Sequence, residues 1–342
     1  MSDFKKTIID ALDLLRRKEE SNRAFFKVKA YKKVIEELRL IDRPIKTIDD
    51  LDGMPGVGAA IKKKIVEILE TGHLVMADEV MVELDAVSIL TGVYGIGIVK
   101  AKDLIAAGIK TIPALRESLA KNPKLLNDKQ KIGLQYYEDL LERIPRAEMK
   151  ALEKVLLGNM TGRMKGVVVG SYRRGAADSG DVDVLLTMPN GPAETRIAAF
   201  REYVERLKTS GFIVEMLTEG DQKCFSIVKL KPTSTSRRLD LLVVPNEEYA
   251  CSLLYFTGSG DFNVAFRKHA LKLGYTLNEH ELMPTGRVEG VAPVPSFKYE
   301  AEIFAFLGLK YKDPHQRTGA SAVIELTEEV KAKVRTSRKS KK

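Results

Sequence analysis

The chain has 342 residues, 44% of them hydrophobic and 30% charged, which is globular composition and excludes an intrinsically disordered protein. At ~150 residues per domain, two or three domains are expected. Apolar runs fall far short of the ~18 residues of a membrane span, no signal-peptide core precedes Ile8, and two cysteines, Cys224 and Cys251, cannot build a disulfide framework or a four-thiolate zinc site.

The net charge of +9 suggests a polyanionic partner, but it is unevenly spread. Residues 1–150 carry 27 basic and 24 acidic residues, and residues 151–330 carry 22 and 23. Residues 331–342 carry seven basic residues and no acidic one. A folded body that binds nucleic acid must therefore do so through local geometry.

Apolar spacing predicts two helices over residues 5–40, with Ile8, Ile9, Leu12 and Leu15 on one and Tyr31, Val34, Ile35 and Leu38 on the other. Between them, Arg16 to Lys33 holds eight basic and two acidic residues. Further helices are expected at Ala59–Leu69, Ile98–Ala107, Ile112–Lys121 and Lys129–Arg143, so the first 150 residues read as all-helical. After Gly162 the pattern changes. Gly166–Gly170, Val182–Leu186, Phe225–Leu230 and Arg238–Val244 read as strands, and Ala193–Ser210 reads as a helix. The fold class is multidomain α+β. A mixed segment over 262–330 closes the body, and Lys331 to Lys342 is expected to be disordered.

Two segments of the helical part repeat. Met54-Pro-Gly-Val-Gly58 and Tyr94-Gly-Ile-Gly97 each precede a helix, 39 residues apart. Glycines let a backbone approach a phosphate closely, and free amides at a helix start face an anion. One such turn is commonplace; two favour a function. They resemble helix-hairpin-helix motifs, which grip DNA backbone without reading sequence. Gly56, Gly58, Gly95 and Gly97 are then expected against phosphates. Such turns can also present carbonyls to a monovalent cation, Na+ or K+, here those of Met54, Val57, Thr91, Val93 and Ile96.

After the first turn comes Lys62-Lys63-Lys64. Ile61, Ile65, Ile68 and Leu69 form one helical stripe, Lys63 points away from it, and Lys62 and Lys64 flank it. A flanking, partly desolvated lysine can expose a neutral amine able to attack a sugar aldehyde. A solvated basic face explains the run equally well, and spacing does not choose between Lys62 and Lys64.

The strongest signal is Gly170-Ser-Tyr-Arg-Arg-Gly-Ala-Ala-Asp-Ser-Gly-Asp-Val-Asp183. Asp181 and Asp183 at a strand start share one face, and Asp240 lies on another apolar strand. Like charges so close call for cations between them, and oxygen-only ligands favour Mg2+, with Mn2+ as substitute. Three carboxylates can hold two divalent ions that activate a hydroxyl and stabilise a pyrophosphate leaving group. Ser171, Arg174 and the Gly180 amide would hold a triphosphate. A Gly-Ser turn followed within about ten residues by Asp-x-Asp marks a nucleotidyltransferase.

Together with Gly108-Ile-Lys-Thr111, Arg143-Ile-Pro-Arg146, Leu254-Tyr-Phe-Thr-Gly-Ser259 and Leu277-Asn-Glu279, these residues resemble the family X DNA polymerases, closest to the polymerase beta branch, over residues 5–330. The resemblance implies a template-directed DNA polymerase that fills short gaps in base-excision repair, with 5′-deoxyribose phosphate lyase activity. It implies a lyase domain over 1–86, a second DNA-binding subdomain over 87–148, a palm over 149–261 and a nascent-base-pair subdomain over 262–330. It places the Schiff-base nucleophile at Lys64, with Lys27 and Tyr31 at the 5′-phosphate. It assigns Arg143 to the triphosphate, and Tyr255, Phe256, Gly258 and Asn263 to the nucleotide. Arg238 and Arg267 fall to DNA, and Tyr275, Asn278 and Glu279 to subdomain closing.

Several family positions differ. Phe26 replaces a histidine and Ala60 a lysine near the phosphate site, which implies a weaker phosphate grip. Val264, Gly260 and Leu242 replace a lysine, an aspartate and an arginine, which implies weaker base-pair checking and a less restrained open state. Expected partners are gapped or nicked double-stranded DNA, deoxynucleoside triphosphates and a repair ligase or scaffold protein, with no membrane and a monomeric chain. Nuclear localisation is expected from the basic tail, with a viral or organellar setting as the alternative. Two other functions fit part of the pattern: a template-independent or end-joining nucleotidyltransferase, and a non-catalytic DNA-binding module. The short connection Leu230–Arg238 argues against the first, and the three carboxylates against the second.

Overall fold

The computed structural model describes residues 3–189, 192–286, 288 and 290–326. The basic run 331–342 lies outside the described residues. Contacts divide the chain into two compact units, Met1–Gln135 and Tyr136–Lys342. Among the described residues, no helix is long and apolar enough to cross a membrane.

The first unit contains α1 (Lys5–Ser21), α2 (Phe25–Leu40), α3 (Ala59–Thr71), α4 (Val75–Thr91), α5 (Ile98–Ala106), α6 (Ile112–Lys121) and α7 (Asp128–Gln135). The expected stripes form its core. Ile8, Leu12 and Leu15 of α1 meet Val34, Ile35 and Leu38 of α2, with Ile65 and Ile68 of α3. α4 is a helix that the sequence reading did not delimit. It buries Ala77, Val80, Ala86 and Leu90 but leaves Val75, Met76 and Val82 exposed, so it shows no clean apolar stripe.

The expected helix over 129–143 is two helices. α7 ends at Gln135, and the second unit opens with the short α8 (Tyr137–Leu141). Arg143 thereby leaves the helix and leads into β1 (Ile144–Pro145). The all-helical reading of residues 1–150 fails only at that two-residue strand.

The second unit continues with α9 (Arg146–Gly158), β2 (Lys165–Val168), α10 (Gly170–Arg173), β3 (Asp178–Ser179), β4 (Val182–Thr187), α11 (Ala193–Thr209), β5 (Ile213–Glu219), β6 (Lys223–Val228) and β7 (Arg237–Val244). α12 (Tyr249–Thr257), α13 (Gly260–Lys272), β8 (Tyr275–Leu277), β9 (Leu282–Pro284) and α14 (Glu300–Phe306) follow. The five-stranded sheet has the order β2-β4-β7-β6-β5; β4 and β7 run parallel and the other neighbours antiparallel.

Alternation along β4 and β7 decides where the acids go. Val182, Val184 and Leu186, with Leu239, Leu241 and Val243, enter the main core under α9 and α11. Leu185 and Val244 face the other way, against Val169 and the Tyr249, Leu253 and Phe256 side chains of α12. Asp183 and Asp240 have the parity of that second face. β5 was missed because it is an edge strand with two register shifts against β6, which blur its alternation.

A third core holds the C-terminal part together, from Phe262 and Phe266 of α13 to Ile303 and Phe304 of α14. The architecture is thus a helical N-terminal part with a mixed-sheet α+β body, as expected.

Candidate active site

Asp183 on β4 pairs in register with Asp240 on β7. Asp181, two residues upstream on the same face, completes the group: carboxylate oxygens of all three lie within 4.8 Å of one another. Gly170 closes the site from the β2–α10 turn. Its φ is +60°, and a Cβ there would sit 2.7 Å from Asp183 Oδ2. Position 170 therefore needs glycine for both conformation and space.

Burial first, then the charge of Asp240, pushes the Asp183 carboxyl up to about 6, with Arg174 opposing. Burial also raises Asp240, against the pull of Arg238. Arg238 turns onto the acids. Its Nη2 donates to Asp181 Oδ2, and its Nε lies 3.4 Å from Asp240 Oδ1. That last contact is Coulombic and makes no hydrogen bond, because both atoms are buried and lack a hydrogen-bond partner. A buried, unpartnered carboxylate oxygen flanked by two more carboxylates fits a divalent cation with oxygen ligands, and the donor set suits Mg2+ or Mn2+.

Arg238, assigned to DNA from the sequence, here neutralises Asp181. Leu242, where the family resemblance expected an arginine for Asp183, packs instead with the apolar face under α12. In this chain the arginine partner of the Asp-x-Asp pair is on the first aspartate.

The residues expected to bind an anion have protein partners here. Ser171 Oγ donates to the buried Ser179 Oγ at 2.9 Å. Arg174 Nη1 donates to the Thr257 carbonyl at 2.6 Å; burial lowers its pKa and Asp183 raises it. Arg143 Nε and Nη2 donate to Asp178 Oδ1 at 2.9 and 2.7 Å. A Cβ at Gly180 would meet Arg143 Nη1 at 2.9 Å. Gly258, with φ +64°, leaves space for Arg174 and precedes a cis peptide to Ser259.

On α12, the rings of Tyr255 and Phe256 meet edge to face at 5.1 Å. Asn263 Nδ2 donates to the Tyr255 carbonyl at 2.7 Å, which ties α13 to that backbone. Arg267 and Val264 are exposed on α13. Tyr275 is buried and donates to the Ala292 carbonyl, Asn278 Oδ1 accepts the His280 and Glu281 amides, and the Glu279 carbonyl accepts Ser252 Oγ.

Sequence reasoning missed a buried ion network. Arg173 bonds Glu300 through two nitrogens, at 3.0 and 2.7 Å, and Arg317, fully buried, bonds it at 2.6 Å. Burial alone would raise the Glu300 carboxyl, but the two arginines hold it below its ordinary range. The Arg317 guanidinium lies 5.3 Å from the Phe304 ring centroid. The network fastens the α10 turn to α14 across 127 residues, so no local signal could reveal it.

In the first unit the two hairpins have the same backbone. Gly56 and Gly95 take φ +94° and +84°, while Gly58 and Gly97 are extended N-cap residues of α3 and α5. Nothing within 4 Å would meet a Cβ at Gly58 or Gly97, so the chain's own packing does not require glycine there. Met54 and Val93 carbonyls accept the Val57 and Ile96 amides inside the turns, and Thr91 Oγ1 bonds the Val87 carbonyl. Of the three lysines on α3, Lys64 is half-buried with Nζ 3.1 Å from the Ala60 carbonyl. Lys62 is exposed and leans to Asp52 at 3.8 Å, and Lys63 is exposed. Lys27 pairs with Glu19 at 3.1 Å, and burial with Glu19 raises Tyr31. Phe26 is 93% exposed.

Family models match most of the chain in order. A helix-hairpin-helix domain covers residues 4–74. The fingers domain of DNA polymerase lambda covers 88–141. The DNA polymerase beta palm covers 143–246 and the DNA polymerase beta thumb 252–318. The chain belongs to the family X DNA polymerases. DNA polymerase lambda of Rattus norvegicus is 31% identical over 331 residues, covering 92% of this chain and 56% of that protein. DNA polymerase lambda of Arabidopsis thaliana is 30% identical over 327 residues, covering 90% and 60%. The chain thus spans somewhat over half the length of these curated relatives.

Proposed function

We propose that the protein is a template-directed DNA polymerase that fills short gaps in base-excision repair, and that it removes 5′-deoxyribose phosphate through Lys64. The observation that carries the polymerase reading is the register of Asp183 with Asp240, which brings their carboxylate oxygens and those of Asp181 within 4.8 Å and leaves a buried Asp240 oxygen without a hydrogen-bond partner.

Asp181, Asp183 and Asp240 would hold divalent ions, Mg2+ or Mn2+, which would acidify the 3′-hydroxyl and offset charge on the leaving pyrophosphate. The protein does the rest. The Asp240 carboxylate accepts the proton of the primer 3′-hydroxyl. Ser171, Arg174, Arg143 and the Gly180 amide orient the triphosphate, so that the 3′-oxygen bonds the α-phosphorus as the bridge to pyrophosphate breaks. Tyr255, its carbonyl fixed by Asn263, and Phe256, anchored in the core, form the wall that excludes a ribose 2′-hydroxyl. Arg267 reaches the template side. The connection between β6 and β7, residues 229–236, is short, which favours templated over template-independent synthesis.

In the lyase reaction Lys64 Nζ adds to the sugar C1′ aldehyde and water leaves, forming a Schiff base. Loss of a C2′ proton then expels the 3′-phosphate oxygen. Half-burial of Lys64 beside the apolar stripe supports it over Lys62 and Lys63. Open space at Gly58 and Gly97 supports phosphate contact at both turns, with Na+ or K+ on the neighbouring carbonyls. The domain divisions at 86, 148 and 261 and a nuclear setting belong to the same reading.

A one-nucleotide gapped duplex with a 5′-phosphate, Mg2+ and single deoxynucleotides tests it. One templated addition is expected, and retained extension by Asp183→Ala would refute the site. Borohydride should trap Lys64 on a pre-incised abasic duplex, and trapping undiminished in Lys64→Ala would remove the lyase assignment.

A further inference from the structure

We propose that Asp178 is a carboxylate latch on Arg143, occupying the guanidinium until the terminal phosphate of the nucleotide displaces it. It would thereby set triphosphate affinity and ease pyrophosphate release. This rests on the nucleotidyl-transfer reading, which makes Arg143 a phosphate ligand.

The contact is built by a strand ladder. β1 and β3 pair Ile144 with Ser179 and Pro145 with Asp178. One step further, Arg143 lies opposite Gly180, and Asp178 is its diagonal neighbour on the adjoining strand. Arg143 Nε and Nη2 both donate to Asp178 Oδ1, at 2.9 and 2.7 Å. Glycine at 180 lets the guanidinium lie over the backbone, since a Cβ would sit 2.9 Å from Nη1. Ser179, between Asp178 and Gly180, turns inward to Ser171 at 2.9 Å. β3 thus braces Ser171, on the neighbouring α10 turn, through Ser179, and at its edge holds an arginine already bound to an anion.

The side chains of Arg143 and Asp178 are 58% and 49% exposed. Exposed ion pairs are weak, so a phosphate of higher charge that can bind a guanidinium through two nitrogens displaces the carboxylate. Displacement still has a cost. The carboxylate takes two of five N–H donors and leaves a negative charge where the phosphate arrives. A change of about three- to fivefold in nucleotide affinity is the scale expected of such a pair. When pyrophosphate departs, Asp178 returns to Arg143 and hinders rebinding.

The full chain on a one-nucleotide gapped duplex provides the test. Asp178→Asn keeps the shape and removes the charge; Asp178→Ser serves where that variant fails to fold. KM for the templated deoxynucleotide should fall about three- to fivefold with kcat within about twofold, and inorganic tripolyphosphate should inhibit more strongly by the same factor. In an Arg143→Ala background the Asp178 substitution should change neither. A rise in KM would show that Asp178 orients Arg143 for binding and would overturn the latch. An equal fall in KM without Arg143 would overturn it too. A wild-type chain that extends no primer, yet binds tripolyphosphate more tightly by calorimetry once Asp178 is Asn, would keep the latch and sink the polymerase reading.

Discussion

Gly58 and Gly97 of the first unit sit in open space, whereas Asp183 and Asp240 of the second are packed into a strand ladder beneath α12. At these two positions the hairpins expose backbone through glycines that the fold's own packing does not need, so their cost to stability is small. Asp183 and Asp240 lie where burial raises their pKa, and for Asp183 the charge of Asp240 adds to it, so the fold bears their cost unless cations arrive. One unit leaves neutral backbone open at its turns, where the proposed function puts phosphate; the other stores negative charge at a site that cations would reverse. A net charge of +9 describes neither.

The largest expected effect falls in the second unit. Asp240→Ala should lower single-turnover extension at least about 10³-fold, about 4 kcal/mol of barrier, while gapped-duplex affinity measured by anisotropy changes little. A comparable loss of DNA binding would show that the two units do not divide the work as drawn.

Asp183→Asn should stabilise the metal-free protein at pH 7 by up to about 3 kcal/mol, read from urea unfolding in chelator. The sign follows from a folded pKa of about 6 against the ordinary value of 3.8: the folded state holds the extra proton. Wild-type stability should therefore fall as pH rises from about 4 to about 6, and the advantage of Asn should disappear near pH 4. A flat difference across that window would break the claim that burial of the carboxylate strains the fold.

In the first unit the contrast is among glycines. Gly133 of α7 packs on the second hairpin, and a Cβ there would lie 2.3 Å from the Tyr94 carbonyl oxygen. Gly133→Ala should cost about 1–3 kcal/mol in thermal or urea unfolding. Gly97→Ala should change stability by less than about 1 kcal/mol yet weaken gapped-duplex binding a few-fold. Equal stability losses at the two positions would remove the distinction between structural and contact glycines.

Much of the site was legible before the fold. Glycine spacing marked both turns, and Gly-Ser followed by Asp-x-Asp marked the palm, because these motifs are local and each has a backbone reason. Three things were not local. β5 lost its alternation to bulges at a sheet edge. Arg238 turned onto Asp181, a choice set by the electrostatics of the assembled acids. Glu300 gathered Arg173 and Arg317 from distant segments.

By itself the sequence determined the α+β division, the repeated hairpin, the helical stripes and the parity that puts Asp181 and Asp183 on one face, since these follow from periods of 3.6 and 2 and from glycine's freedom of φ. Only the tertiary structure decided that Asp240 stands in register with Asp183, that Lys64 rather than Lys62 is half-buried, and that Asp178 holds Arg143. Strand pairing and burial join residues far apart in the chain, and neither is written in the spacing along it.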